Sequence, residues 1–155
     1  VEVRITGLDD VAKLARDLKK AGDTDLRREM REAGKRIGKR AEEAVRESAG
    51  DLPSTGGLNS WVQARIKIKP LIRLQGRDVG IRVKTSHRGK TGASDIRAMN
   101  NGRLRAPLFG DTDHWYLHRI PPGFVTRPLE AMSDDARDEF LTAIDEIARR
   151  FAAGG

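Results

Sequence analysis

Gly89-Lys90-Thr91 has the form of the end of a phosphate-binding loop, in which glycine amides and a lysine surround phosphate oxygens. That loop requires a glycine five positions earlier, where this chain has Lys84, so the cradle is incomplete. His114 and His118, with Asp111 and Asp113 beside them, carry metal-binding donors at a spacing that suits a helix. Trp115, Tyr116 and Leu117 between them favour a strand, in which positions four apart lie about 13 Å from each other, beyond the reach of one ion. Nucleophilic catalysis needs a serine or threonine beside a base and an orienting acid, and Ser54, Ser60 and Ser86 have no such context. Glu42-Glu43 and Asp134-Asp135 read as solvated carboxylates or as complements to a helix dipole. Cysteine is absent, which removes disulfides and thiolate chemistry. The sequence therefore predicts no catalytic centre, no cofactor and no metal.

The strongest chemical signal is charge. The 155 residues carry 30 Lys+Arg against 23 Asp+Glu, a formal net charge of +7. Between Trp61 and Arg105 twelve bases face only Asp78 and Asp95, so the rest of the chain is slightly acidic. So basic a segment should seek an acidic partner, either nucleic acid or an acidic protein surface. Only 37% of residues are apolar and 5% aromatic, which predicts a thin core that neighbouring subunits complete. No apolar run approaches the length of a membrane span, and Glu2, Asp9, Asp10 and Asp17 stand where a signal peptide would be apolar. These features predict a soluble, single-domain protein over 1–155, without membrane contact and made inside the cell.

The elements that must position these charges follow from periodicity. Val1, Val3 and Ile5 alternate with Glu2 and Arg4 as an edge strand would. Asp9 then caps a helix with Val11, Leu14, Ala15 and Leu18 on one face. A long helix over Leu26–Ala49 has a narrow stripe of Leu26, Met30, Ala33, Ile37, Ala41 and Val45. Gly34 and Gly38 lie beside the stripe and allow another backbone to approach closely, from within the chain or from a copy of it. Pro53, Thr55, Gly56 and Gly57 form a turn, with Gly56 or Gly57 at positive φ. Val62, Ala64, Ile66 and Ile68 then alternate with polar residues as a strand that Pro70 interrupts, followed by Ile72, Leu74 and a turn into Val79, Ile81 and Val83. Residues 85–105 show no period and read as an extended basic loop that includes Arg88, Lys90, Arg97, Arg103 and Arg105 and is ordered only by a partner. His114–Arg119 reads as a short strand. Pro128 opens a last helix with Leu129, Met132, Ala136, Phe140, Ile144, Ile147 and Phe151 on its apolar face.

The order of these segments resembles the small neck or tail-completion proteins of long-tailed bacteriophages, the head-to-tail joining family that includes minor tail protein Z of lambdoid phages. The matching residues are Ile5, Gly7, Leu8 and Asp9, then Pro53, Thr55, Gly56 and Leu58, then Gly123, Phe124, Arg127, Pro128 and Leu129. Where members carry Glu-x-Gly-Thr or a similar motif after the second β segment, this chain reads Leu108-Phe109-Gly110-Asp111-Thr112.

The resemblance implies an α+β fold, with a curved antiparallel sheet packed by the long helix and the C-terminal helix. It implies a structural virion protein without catalytic activity, assembled in the host cytoplasm as a homo-oligomeric ring that joins the head connector to the tail tube around the DNA channel. The implied partners are copies of the chain and the neighbouring connector or head-closure and tail-terminator or tail-tube proteins. Genomic DNA in the channel is a further, non-specific contact. Self-association is expected through the helix carrying Gly34 and Gly38 or through a sheet edge, and the basic loop is expected to meet an adjoining ring, since a strong phosphate grip would stop DNA from sliding past. The alternative function is sequence-nonspecific nucleic-acid binding, with Trp61, Trp115 or Tyr116 stacking on bases.

Overall fold

A computed structural model describes residues 1–5, 13, 24–54, 57–73, 80–87, 96–108 and 111–154. The fold is α+β: an antiparallel three-stranded sheet packed against a long helix and a C-terminal helix. Helix α1 (Thr24–Gly50) is the spine, about 40 Å long at 1.5 Å per residue. Its stripe of Leu26, Met30, Ala33, Ile37, Ala41, Val45 and Ala49 is at most 2% exposed. Each fully buried aliphatic of this size is worth about 1.5–3 kcal/mol, so α1 is held by packing on two partners rather than by helix propensity.

The sheet has the order β1-β3-β2, with β1 at Glu2–Arg4, β2 at Ile66–Arg73 and β3 at Gly80–His87. Both pairings are antiparallel: Val3 lies opposite Val83, and β2 runs from Ile66 opposite His87 to Arg73 opposite Gly80. Successive side chains alternate between faces, so Val3, Ile5, Ile81, Val83, Thr85, Ile66, Ile68 and Ile72 form the inner face. Thr85 is buried there because its hydroxyl donates to the Val1 carbonyl at 3.1 Å. Pro70 does not interrupt β2, contrary to expectation; the register runs through it opposite Val83. An edge strand tolerates proline because only one of its sides is paired.

The two glycines of α1 are explained by the same packing. A Cβ at Gly34 would lie 2.9 Å from the Ile72 side chain, and one at Gly38 would lie 2.8 Å from the Pro70 ring. The backbone that approaches is thus β2 of the same chain, and this helix face is not open to a second copy.

Three further expectations are corrected. The segment after the turn begins as helix α2 (Leu58–Arg65) before β2. Leu58, Trp61 and Val62 repeat at helical spacing, and Val62 and Ile66 occur in both readings, so the short alternation was ambiguous. The described residues of the expected loop 85–105, namely 85–87 and 96–105, are ordered within the chain. Thr85–His87 complete β3, helix α3 (Ile96–Asn100) follows, and Arg103 opens β4 (Arg103–Leu108). Finally, the last helix is two: α4 (Thr126–Ala131) and α5 (Ser133–Gly154). Pro128 lies in the first turn of α4, where its missing amide has no intrahelical partner to lose. Asp134 and Asp135 open α5, where carboxylates complement the helix dipole.

Strand β4 pairs with β5 (Asp111–Arg119) as a separate two-stranded hairpin. The helix expected over 9–18, the turn residues Thr55 and Gly56, the 74–79 turn, and the basic residues Arg88 and Lys90 lie outside the described residues.

Candidate functional site

Two corners of the chain set where its surfaces face, and both are built on residues singled out in the sequence. At the first, Leu52 is buried, Pro53 is exposed, and the Gly57 amide donates to the Ser54 carbonyl at 2.9 Å. Gly57 has φ 72° and ψ 22°, a left-handed conformation in which glycine is favoured. A Cβ there would meet nothing within 4 Å, so the requirement is backbone conformation alone. Helix α2 then locks the end of α1. Asn59 Nδ2 donates to the Gly50 carbonyl at 3.3 Å and Gln63 Nε2 to the Arg46 carbonyl at 3.1 Å, while Arg46 Nη1 returns a bond to the Gln63 carbonyl at 2.9 Å. These bonds satisfy carbonyls at the end of a helix that lacks a basic last turn.

At the second corner, Asn100 joins three segments. Its Oδ1 accepts from the amides of Val125 at 2.9 Å and Thr126 at 3.3 Å, and its main-chain carbonyl accepts from the Gly123 amide at 2.7 Å. The first two are orphan amides at the start of α4, so Asn100 caps that helix from 25 and 26 residues away. Gly123 has φ 86°, and a Cβ there would lie 2.9 Å from the Arg127 side chain. Gly102 has φ 80°, and a Cβ there would lie 2.9 Å from the Ile120 carbonyl oxygen. Phe124 and Leu129 are buried against the core, and Arg127 is exposed. Asn100 and Gly102 were missed in the sequence; the signal was Ile96 and Met99 at helical spacing followed by the stop Asn-Asn-Gly.

These corners present two surfaces. The first is the outer face of the three-stranded sheet, which no described element covers. It carries Arg4, Lys67, Lys69, Arg73, Arg82 and Lys84, with Glu2 as its one acid, bound to Arg82 at 3.1 Å. Lys69 lies directly opposite Lys84, a like-charge pairing that costs stability in an isolated sheet. A depression of about 520 Å³ at the β2 edge is lined by Arg46, Lys67, Lys69, Lys84 and Ser86 together with Ile66 and Ile68.

The second surface is the β4–β5 hairpin. Tyr116 and Leu117 are 47% and 66% exposed, and as neighbours on a strand they point to opposite faces. Trp115 is half-buried with the Arg105 guanidinium 5.6 Å from its ring centre, and Arg65 lies 5.1 Å from the Trp61 ring centre. Arg103 and Arg105 project from β4 and are exposed, as is Arg97 on α3. His114 and His118 are exposed on β5. Among the described residues no group of three or more His, Asp or Glu is placed to hold a metal ion, and no helix is long and apolar enough to cross a membrane. The chain matches no family model, no curated protein and no solved structure.

Proposed function

We propose that the chain is a structural subunit of the neck of a long-tailed bacteriophage, one of several copies in a ring that joins the head connector to the tail tube around the DNA channel. It assembles in the host cytoplasm, remains in the virion and catalyses no reaction. The observation that carries this reading is the β4–β5 hairpin. A two-stranded ribbon is marginal in water on its own, yet this one exposes an apolar residue on each face, which suits a subunit whose arm is covered on assembly. The resemblance adds support at the two corners. Pro53 and Leu58 belong to one motif and Gly123, Phe124, Arg127, Pro128 and Leu129 to another, and the described residues of both fall where the chain must turn between its major elements.

A second reading, sequence-nonspecific nucleic-acid binding, has the basic sheet face in its favour. Among the described residues that face carries no aromatic side chain for base stacking, so it would hold phosphate alone.

The test is joining of purified heads and tails with and without the protein, followed by the mass of the isolated neck. Restored joining with several copies per neck is the expected result. Unaffected joining, or a single copy in the neck, refutes the reading.

A further inference from the structure

The charges of this molecule are not distributed as a solvated surface would have them. Along α1 most of them are paired, with Lys35 on Glu32 at 2.6 Å, Arg36 and Arg40 on Glu139 at 2.7 and 3.0 Å, and Arg46 on Glu42 at 2.9 Å, while Arg27, Arg31 and Glu47 form no ion pair with any described residue. Two other faces hold groups of charges that are unpaired among the described residues, and the signs of those groups are opposite. On the outer sheet face, Lys67, Lys69, Arg73 and Lys84 form no ion pair with any described residue. On α5 the stripe turned away from buried Phe140, Ile144 and Ile147 carries Asp134, Asp138 and Asp145, flanked by Asp135 and Glu146, and none of these five is ion-paired among the described residues either. Arg149 is the one base on that stripe, since Arg150 turns to Glu29 at 3.2 Å.

The two faces lie on different sides of the fold. The helices cover the inner face of the sheet, and α5 packs its apolar side on α1, so neither unpaired face can reach the other in one molecule. We infer that the basic sheet face of one copy docks on the acidic α5 stripe of the next. The occupant of each face is a second copy of this chain, because the chain itself carries the surface of matching sign. Like-charge repulsion between Lys69 and Lys84 is relieved when a carboxylate comes between them. Since each face meets the other and not itself, the contact is heterologous and propagates head to tail. The contact deepens the neck reading and rests on it for closure into a ring; its polarity rests on the charges alone.

The test is charge exchange in the full-length protein. K69E/K84E makes the sheet face acidic, and D138K/D145K makes the α5 stripe basic. In sedimentation at low salt the wild-type protein should self-associate, with the association constant falling steeply as salt is added. Each double variant alone should associate at least about tenfold more weakly. An equimolar mixture should associate again, because every contact between the two variants regains opposite signs. Zero-length carbodiimide coupling of the wild type should join Lys69 or Lys84 of one isotopically labelled copy to Asp138 or Asp145 of an unlabelled one. A wild type that stays monomeric at millimolar concentration, or a mixture that does not recover, overturns the contact. So does a wild type that binds a short DNA duplex more tightly than it binds itself, with the K69E/K84E variant losing that binding. Recovery in the mixture together with failed head-to-tail joining refutes the neck reading and leaves the contact standing.

Discussion

Asn100 is worth more than its single side chain suggests, because two amides depend on it for an acceptor in a buried site. Asn100→Leu should lower stability by about 1–3 kcal/mol, the cost of leaving buried donors unsatisfied. Asn100→Asp retains an acceptor oxygen and should recover most of that loss. Urea unfolding checks both, and a lower midpoint with an unchanged slope is the expected signature. Gly57 sets a different kind of requirement. A side chain there meets open space, so Gly57→Val should cost only the left-handed backbone term, on the order of 1–2 kcal/mol, whereas Gly102→Val adds a clash with the Ile120 carbonyl and should cost more.

Titration gives a further residue-scale test. The hydrogen bond from Lys35 holds the Glu32 carboxyl below the ordinary carboxylate range. A lowered folded value means the stabilisation is complete above the unfolded value and is lost as pH falls through the folded one. Lys35→Met should return the Glu32 midpoint, followed by NMR, toward the ordinary range. The pair lies at the surface, with Lys35 60% and Glu32 47% exposed, so the change in unfolding midpoint that accompanies the shift should be small.

At the scale of elements, Gly34 and Gly38 separate two effects that normally oppose each other. Replacing glycine by alanine inside a helix gains up to about 1 kcal/mol in propensity, and overpacking costs about 1–3 kcal/mol. Ile72 beside Gly34 is β-branched and stiff at χ1, and the atoms a Cβ would meet include Cγ1 and Cγ2, with only Cδ1 free to turn, while Pro70 beside Gly38 is a ring fixed in the strand. Gly34→Ala should therefore be destabilising, by less than Gly38→Ala because Cδ1 of Ile72 can turn and the Pro70 ring cannot, a difference that thermal unfolding resolves. The α1 stripe was legible in the sequence because seven buried residues repeat at helical spacing over 27 residues. The partner of its glycines was not legible, since small residues show that something approaches but not what. Helix α2 was hidden because Val62 and Ile66 fit two periods in so short a segment. The five-residue helix α3 was hidden because it is shorter than any window in which a period can be counted. Its polar residue Asn100 is buried for a bond to a segment that local pattern does not reveal.

For the whole molecule, low apolar content predicted a thin core, yet the described residues bury a contiguous one that reaches from Ile5 to Ile147. Alanine and glycine on α1 bring backbones together, so fewer large side chains are needed to fill the space. Surfaces rather than stability are then what assembly has to supply. Replacing Tyr116 and Leu117 together by serine should leave the unfolding free energy within about 0.5 kcal/mol, because both are exposed. The same variant should fail to restore joining of heads and tails. Normal joining by the Y116S/L117S variant would show that the hairpin contributes nothing to the neck.

The proline in β2 bears on a stage before any particle exists. A protein needed in many copies accumulates in a crowded pool, and there an open sheet edge is a template for runaway strand pairing. β1 offers only three residues for such pairing, and β2 lacks a donor at Pro70 and carries Lys67 and Lys69 near its middle. Along this sheet copies then meet through side-chain surfaces, which separate reversibly, rather than through backbone ladders at its edges, which do not. Pro70 on this account preserves the supply of subunits, and a threonine in its place should show its effect as turbid stocks and low yield on standing, well before any defect in a finished virion.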